Sequence, residues 1–181
     1  MYYFPLENLK KEFEDLNHNP ISNFGFSVGL NNNDIRNWKL TLMGPKDSSY
    51  ARGYFSLTAF FPDGYPLIPP QVCFITPIYH LNVNPNVPTF PGAEPLGNIC
   101  IQRLGLWDNN CSFKELISNI YSLFYYADPL CGYGDERIYE YRNNRTVYEE
   151  KAKFFVRKYA NPVNLASSDY SSQNWDFRMN N

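Results

Sequence analysis

HLNVNPNVPTFPGAEPLGNIC, residues 80–100, is the stretch at which the character of the chain changes. It opens on His80-Leu81-Asn82, carries Pro85, Pro88, Pro91 and Pro95, and closes on Cys100 between Ile99 and Ile101. Before it, apolar residues recur in short runs: Phe24, Phe26 and Val28; Trp38, Leu40 and Leu42; Tyr54 to Phe61; Val72 to Ile75. Successive side chains of a strand point to opposite faces, so these runs predict four strands. The segments between them carry turn chemistry: Asn31-Asn32-Asn33-Asp34, Gly44-Pro45-Lys46-Asp47 and Pro62-Asp63-Gly64-Tyr65-Pro66. Short connections between consecutive strands predict an antiparallel meander.

After Cys100 the period becomes helical. Ser112-Phe113-Lys114-Glu115 fits a capping box, in which hydroxyl and carboxylate satisfy opposite backbone amides at a helix start. Phe113, Leu116, Ile117, Ile120 and Phe124 then form one apolar stripe, suited to a helix lying across a sheet. A glycine-bearing loop at Cys131-Gly132-Tyr133-Gly134 interrupts it. Thr146-Val147-Tyr148-Glu149 reads as a second capping box, followed by Ala152, Phe155, Val156 and Tyr159, with Lys151, Lys153, Arg157 and Lys158 towards the helix end. At the other end of the chain, Leu6, Leu9, Phe13 and Leu16 predict an amphipathic helix after Pro5 that stops by Asn19-Pro20. The expected fold class is α+β, with helices packed on a four-stranded antiparallel sheet.

The length of 181 residues suits one core, expected over residues 1–160, with a polar tail at 161–181. Hydrophobic residues make up 44% and charged residues 19%, a globular balance. A net charge of -2 without runs of like charge lacks the footprint that phosphate-backbone binding requires, so nucleic acid is not an expected partner. The first residues lack the basic flank and apolar core of a signal peptide, and no stretch is apolar enough to span a bilayer. A cytoplasmic or nuclear location is therefore expected, and no membrane contact. Cys73, Cys100, Cys111 and Cys131, with only His18 and His80 beside them, show neither zinc nor redox-motif spacing, and in a reducing compartment four free thiols are expected.

Trp38 to Met43, Gly44-Pro45, Tyr50, Gly53-Tyr54-Phe55, Phe61-Pro62, Tyr65-Pro66, Pro69-Pro70, Phe74, Ile78-Tyr79-His80, Asn82, Gly97-Asn98-Ile99-Cys100, Leu104 and Trp107 follow one another in an order that resembles the ubiquitin-conjugating enzyme family. The resemblance covers residues 5–160 and implies that family's fold, a four-stranded sheet flanked by about four helices. It implies an enzyme that accepts ubiquitin or a ubiquitin-like protein from an activating enzyme as a thioester. The enzyme then passes it to a substrate lysine or to a ligase cysteine. No cofactor is implied, since ATP is used by the activating enzyme. By resemblance Cys100 is the nucleophile, and a thiolate suits the step because it both attacks and leaves well. Asn82 matches the family's active-site asparagine, a donor to the oxyanion formed when lysine attacks; the alternative is that it braces the loop. His80 is assigned to loop structure. For the residue that orients the incoming lysine, an ungapped alignment selects Cys131, whereas matching Asp128-Pro129-Leu130 to the family's Asp-Pro-Leu selects Asp128. Phe61 and Trp107 fall on the two loops that form the ligase-docking surface, and Lys10 and Lys11 are the basic contacts for an activating enzyme.

The chain also departs from the pattern. Leu81 stands where the family has proline, which predicts a softer loop around Asn82. The span from Asn82 to Cys100 is about twice the family's, with the surplus in Pro85 to Leu96, either a semi-rigid flap beside the thiol or a tolerated surface insertion. Asp108-Asn109-Asn110 replaces a Ser-Pro-Ala. Leu81 and the insertion keep open a second reading, a non-catalytic variant that binds ubiquitin or a partner.

Overall fold

The computed structural model describes residues 6–21, 25–85, 97–100, 107 and 110–162. The elements run α1 (Leu6–His18), β1 (Phe26–Asn31), β2 (Asp34–Met43), β3 (Tyr54–Phe60), β4 (Gln71–Phe74), α2 (Phe113–Ser122), α3 (Asp135–Asn143) and α4 (Arg145–Tyr159). The strands form one antiparallel sheet in the order β1-β2-β3-β4. Trp38 pairs with Ala59, Leu40 with Leu57 and Leu42 with Phe55, so alternate positions of both strands load one face of the sheet. All six are buried there. The expected α+β class and strand order are thus those of the folded chain; Phe24, the predicted start of the first strand, lies outside the described residues.

An aromatic cluster locks α1 and α2 onto this face. The Trp38 ring lies 4.3 Å from that of Phe61, 5.1 Å from Phe113 of α2 and 5.2 Å from Phe13 of α1. Edge and tilted contacts of this kind add to the apolar area already buried. The Ser112 capping box forms as expected, and α2 buries Phe113, Leu116, Ile117 and Ile120. Glu12 of α1 accepts from the Phe113 amide at 2.8 Å and from the Tyr65 hydroxyl at 2.8 Å, placing a carboxylate at the positive end of α2.

Two details differ from the sequence reading. The α4 helix starts two residues earlier, because Asn144, whose side chain accepts from the Val147 amide, caps it in place of Thr146. The α3 helix has no apolar stripe of its own; it buries Arg137 and Glu140 instead, so periodicity could not find it. Beyond α4, the Ala160 carbonyl accepts from the Tyr54 amide of β3, tying the end of the helix to the sheet. Residues 163–181, most of the expected tail, lie outside the described residues.

Phe61, expected on a docking surface, is fully buried in the aromatic cluster. The apolar side chains exposed on the following loop are Leu67 and Ile68, at 59% and 54%. Phe61→Ala should therefore lower unfolding free energy by about 3–5 kcal/mol, while Leu67→Ala should stay within about 0.5 kcal/mol of the parent in urea titrations.

Candidate functional site

In the loop of residues 79–84, His80, Leu81, Asn82 and Val83 are all buried. A buried backbone must pair its polar groups, and the loop's bonds reach several separate parts of the chain. Cys100 donates its amide to the Asn82 carbonyl at 2.9 Å and Asn84 donates to Asn98 at 2.8 Å, so residues 97–100 run antiparallel to the loop. Gly97 makes that approach possible. Its φ is +64°, and a Cβ there would stand 2.0 Å from the Phe74 carbonyl oxygen of β4.

His80 is locked as a neutral ring. Its Nδ1 accepts from the Asn82 amide at 3.0 Å, so Nε2 carries the proton and donates to the Leu123 carbonyl at 3.0 Å, one of the unpaired carbonyls at the end of α2. Burial pushes its pKa down to about 4. A ring so held braces the loop.

The Asn82 side chain is fully committed. Its Nδ2 donates to the carbonyls of Asp128 at 2.8 Å and Cys131 at 2.6 Å, and its Oδ1 accepts from the Asp128 amide at 2.8 Å. Asn82 therefore ties the segment carrying Cys100 to the turn at 128–131. Asp128 is half-buried in that turn and accepts from the Leu130 amide at 2.8 Å. The structure brings both lysine-orienting candidates, Asp128 and Cys131, to one turn.

Leu81 is tied through both backbone groups and its side chain. Its amide donates to the Tyr148 hydroxyl at 3.1 Å, its carbonyl accepts from Tyr133 at 2.6 Å, and its side chain is fully buried. Tyr148 Oη lies 3.3 Å from Tyr50 Oη, and Tyr50 donates to the Tyr79 carbonyl at 2.8 Å, so the Tyr148 proton goes to Tyr50. Proline at 81 could make no bond to Tyr148; leucine can. Burial pushes both phenols upward, keeping them protonated donors. Arg137 of α3 completes the support, donating to the His80 carbonyl at 3.0 Å and the Val83 carbonyl at 3.1 Å beneath the Tyr79 ring. Sequence reasoning gave Tyr148 and Arg137 no place in the site, because only the fold brings α3 and α4 to residue 81.

Cys100 is half-buried and its sulfur is bonded to that of Cys131, with the Cα atoms 6.2 Å apart. This corrects the expectation of four free thiols; Cys73 and Cys111 stand outside the disulfide. Spacing could not reveal the pair, since 31 positions separate its members. Cys73 is buried in β4 and its thiol pKa is pushed up to about 12 by burial, which makes it an inert core residue. A cleft of about 230 Å³ is lined by Tyr50, His80, Tyr148 and Arg145 among others, and Cys100 is not among its lining residues.

Of the expected partner contacts, Trp107 is half-buried and donates its indole N–H to the Pro66 carbonyl at 2.7 Å, so it holds the loop that exposes Leu67 and Ile68. Lys10 and Lys11 are exposed on α1. Residues 86–96 of the insertion, Leu104, Asp108 and Asn109 lie outside the described residues. No helix among the described residues is long and apolar enough to cross a membrane. The model of one protein family, the ubiquitin-conjugating enzymes, matches residues 8–156.

Two expectations follow from the loop. His80 titrates near 6.5 when unfolded and near 4 when folded, so the unfolded chain binds more protons between those values and stability falls as pH drops from about 6.5 to about 4. The loss should approach 3 kcal/mol, on the order of the full shift; urea titrations across this range should show a flatter profile for His80→Gln. Leu81→Pro, which deletes the N–H donated to Tyr148, should cost about 1–3 kcal/mol. A double-mutant cycle with Tyr148→Phe should show the two losses to be less than additive.

Proposed function

The chain belongs to the ubiquitin-conjugating enzyme family, and from that premise we propose that it is an active carrier of ubiquitin or a ubiquitin-like protein. The carrying observation is a half-buried cysteine at the end of Gly97-Asn98-Ile99-Cys100, its amide held by Asn82 in the middle of a braced loop. In the reduced form the Cys100 thiolate attacks the activating enzyme's thioester carbonyl and that enzyme's thiolate leaves. A substrate lysine amine, or a ligase thiol, then attacks the new thioester and Cys100 leaves as thiolate. No cofactor is assigned to this chain, since ATP serves the activating enzyme.

The three hydrogen bonds from Asn82 to the 128–131 turn support a bracing role. They hold Asp128 beside the segment that carries the thioester, for orienting the incoming lysine. Donation to an oxyanion would require Asn82 to release one of these carbonyls. The activating enzyme is assigned to α1, with Lys10 and Lys11. A ligase is assigned to the loop of Leu67 and Ile68, whose exposure suits an apolar partner, with Trp107 as its support. The compartments proposed are the cytoplasm and nucleus.

One observation favours the second reading, a binding module without catalysis: the Cys100 sulfur is engaged by Cys131. Reduction separates the two. After treatment with a thiol reductant and its removal, incubation with activating enzyme, ATP and a panel of ubiquitin-like proteins should yield an adduct that thiols cleave. Cys100→Ala should yield none. Asn82→Ala should still charge but discharge to free lysine on the order of 100-fold more slowly, with faster amide exchange at Asp128, because the turn is no longer held. A reduced chain that charges with nothing leaves the binding module as the reading.

A further inference from the structure

We propose that Cys131 is the resolving thiol of Cys100, so that a peroxide-class oxidant closes a reversible disulfide over the sulfur that carries the acyl group. The consequence for charging rests on the reading under Proposed function; the thiol chemistry itself does not. The Cα atoms of the two cysteines are 6.2 Å apart, inside the range a disulfide spans without moving the backbone. That separation is imposed by a third residue. Asn82 accepts from the Cys100 amide through its backbone and holds the Cys131 carbonyl through its side chain, and the Cys131 amide donates to Asp128 at 3.2 Å within the same turn. Both cysteines are half-buried, within reach of a small oxidant, whereas Cys73 is buried and poorly ionised.

The step balances. The Cys100 thiolate attacks one oxygen of hydrogen peroxide, the O–O bond breaks, hydroxide leaves, and a sulfenic acid remains. The Cys131 thiolate attacks that sulfur, the S–O bond breaks, the S–S bond forms, and hydroxide leaves as water after taking a proton. Two thiols thus give two electrons and two protons to one peroxide, yielding two waters. A dithiol reductant returns both electrons and is itself oxidised. Trapping the sulfenic acid keeps Cys100 from the sulfinic state, which dithiols do not reverse.

The full reduced chain is exposed to hydrogen peroxide, digested without reductant and mapped by mass. The expected product joins the Cys100 and Cys131 peptides with loss of two hydrogens, and loses at least about tenfold in charging rate until dithiothreitol restores it. Cys131→Ser and Cys131→Ala, each compared with its own activity before oxidant and checked for cooperative unfolding, should pass to the sulfinic acid and recover at least about tenfold less than the parent. Absence of the joined peptide, or recovery of both variants as complete as that of the parent, overturns the proposal. A reduced chain that forms the joined peptide but never charges supports the thiol pair and counts against the acyl-carrier function.

Discussion

Burying the backbone of residues 79–84 obliges each polar group there to find a partner, and most of the molecule contributes one. Tyr50 supplies a hydroxyl to the Tyr79 carbonyl, α3 supplies Arg137 to His80 and Val83, and α4 supplies Tyr148 to the Leu81 amide. His80 turns inward and bonds its own loop at one nitrogen and the end of α2 at the other. An unpaired buried amide or carbonyl costs about 1–3 kcal/mol, so these partners depend on one another. The sheet and its aromatic cluster hold the loop in place, and the loop in turn fixes where Cys100 and its neighbours stand.

Asn82 is where that support meets chemistry. One residue accepts the Cys100 amide and clamps the turn that carries Asp128 and Cys131, so a single side chain sets the spacing of the thiol to both. The same clamp explains how the site proposed for acyl transfer can also bring two sulfurs together. Neither use requires a base beside Cys100, because a thioester and a peroxide are each already activated towards a thiolate.

The replacement of the family's proline by Leu81 shows why a departure from a motif needs its surroundings before it is read as a loss. Proline restricts φ but has no N–H; leucine gives up the restriction and gains a donor, which Tyr148 receives. Phe61 teaches the converse. The family resemblance put it on a docking loop, yet its ring completes the Trp38 cluster, and exposure falls to Leu67 and Ile68.

Much of the fold was legible in the chain because it is local. Alternation at Trp38, Leu40 and Leu42 dictates which face of β2 is buried, turn residues separate consecutive strands, and Ser112 with Glu115 starts α2. The motif around Asn82 and Cys100 carried the family reading for the same reason. What only the tertiary structure decided joins residues distant in sequence: Tyr148 on Leu81, Arg137 under His80, and Cys131 against Cys100. Local pattern reports how a segment folds against a face, whereas a buried polar partner or a second thiol is chosen by proximity, and proximity exists only once the sheet and helices have packed.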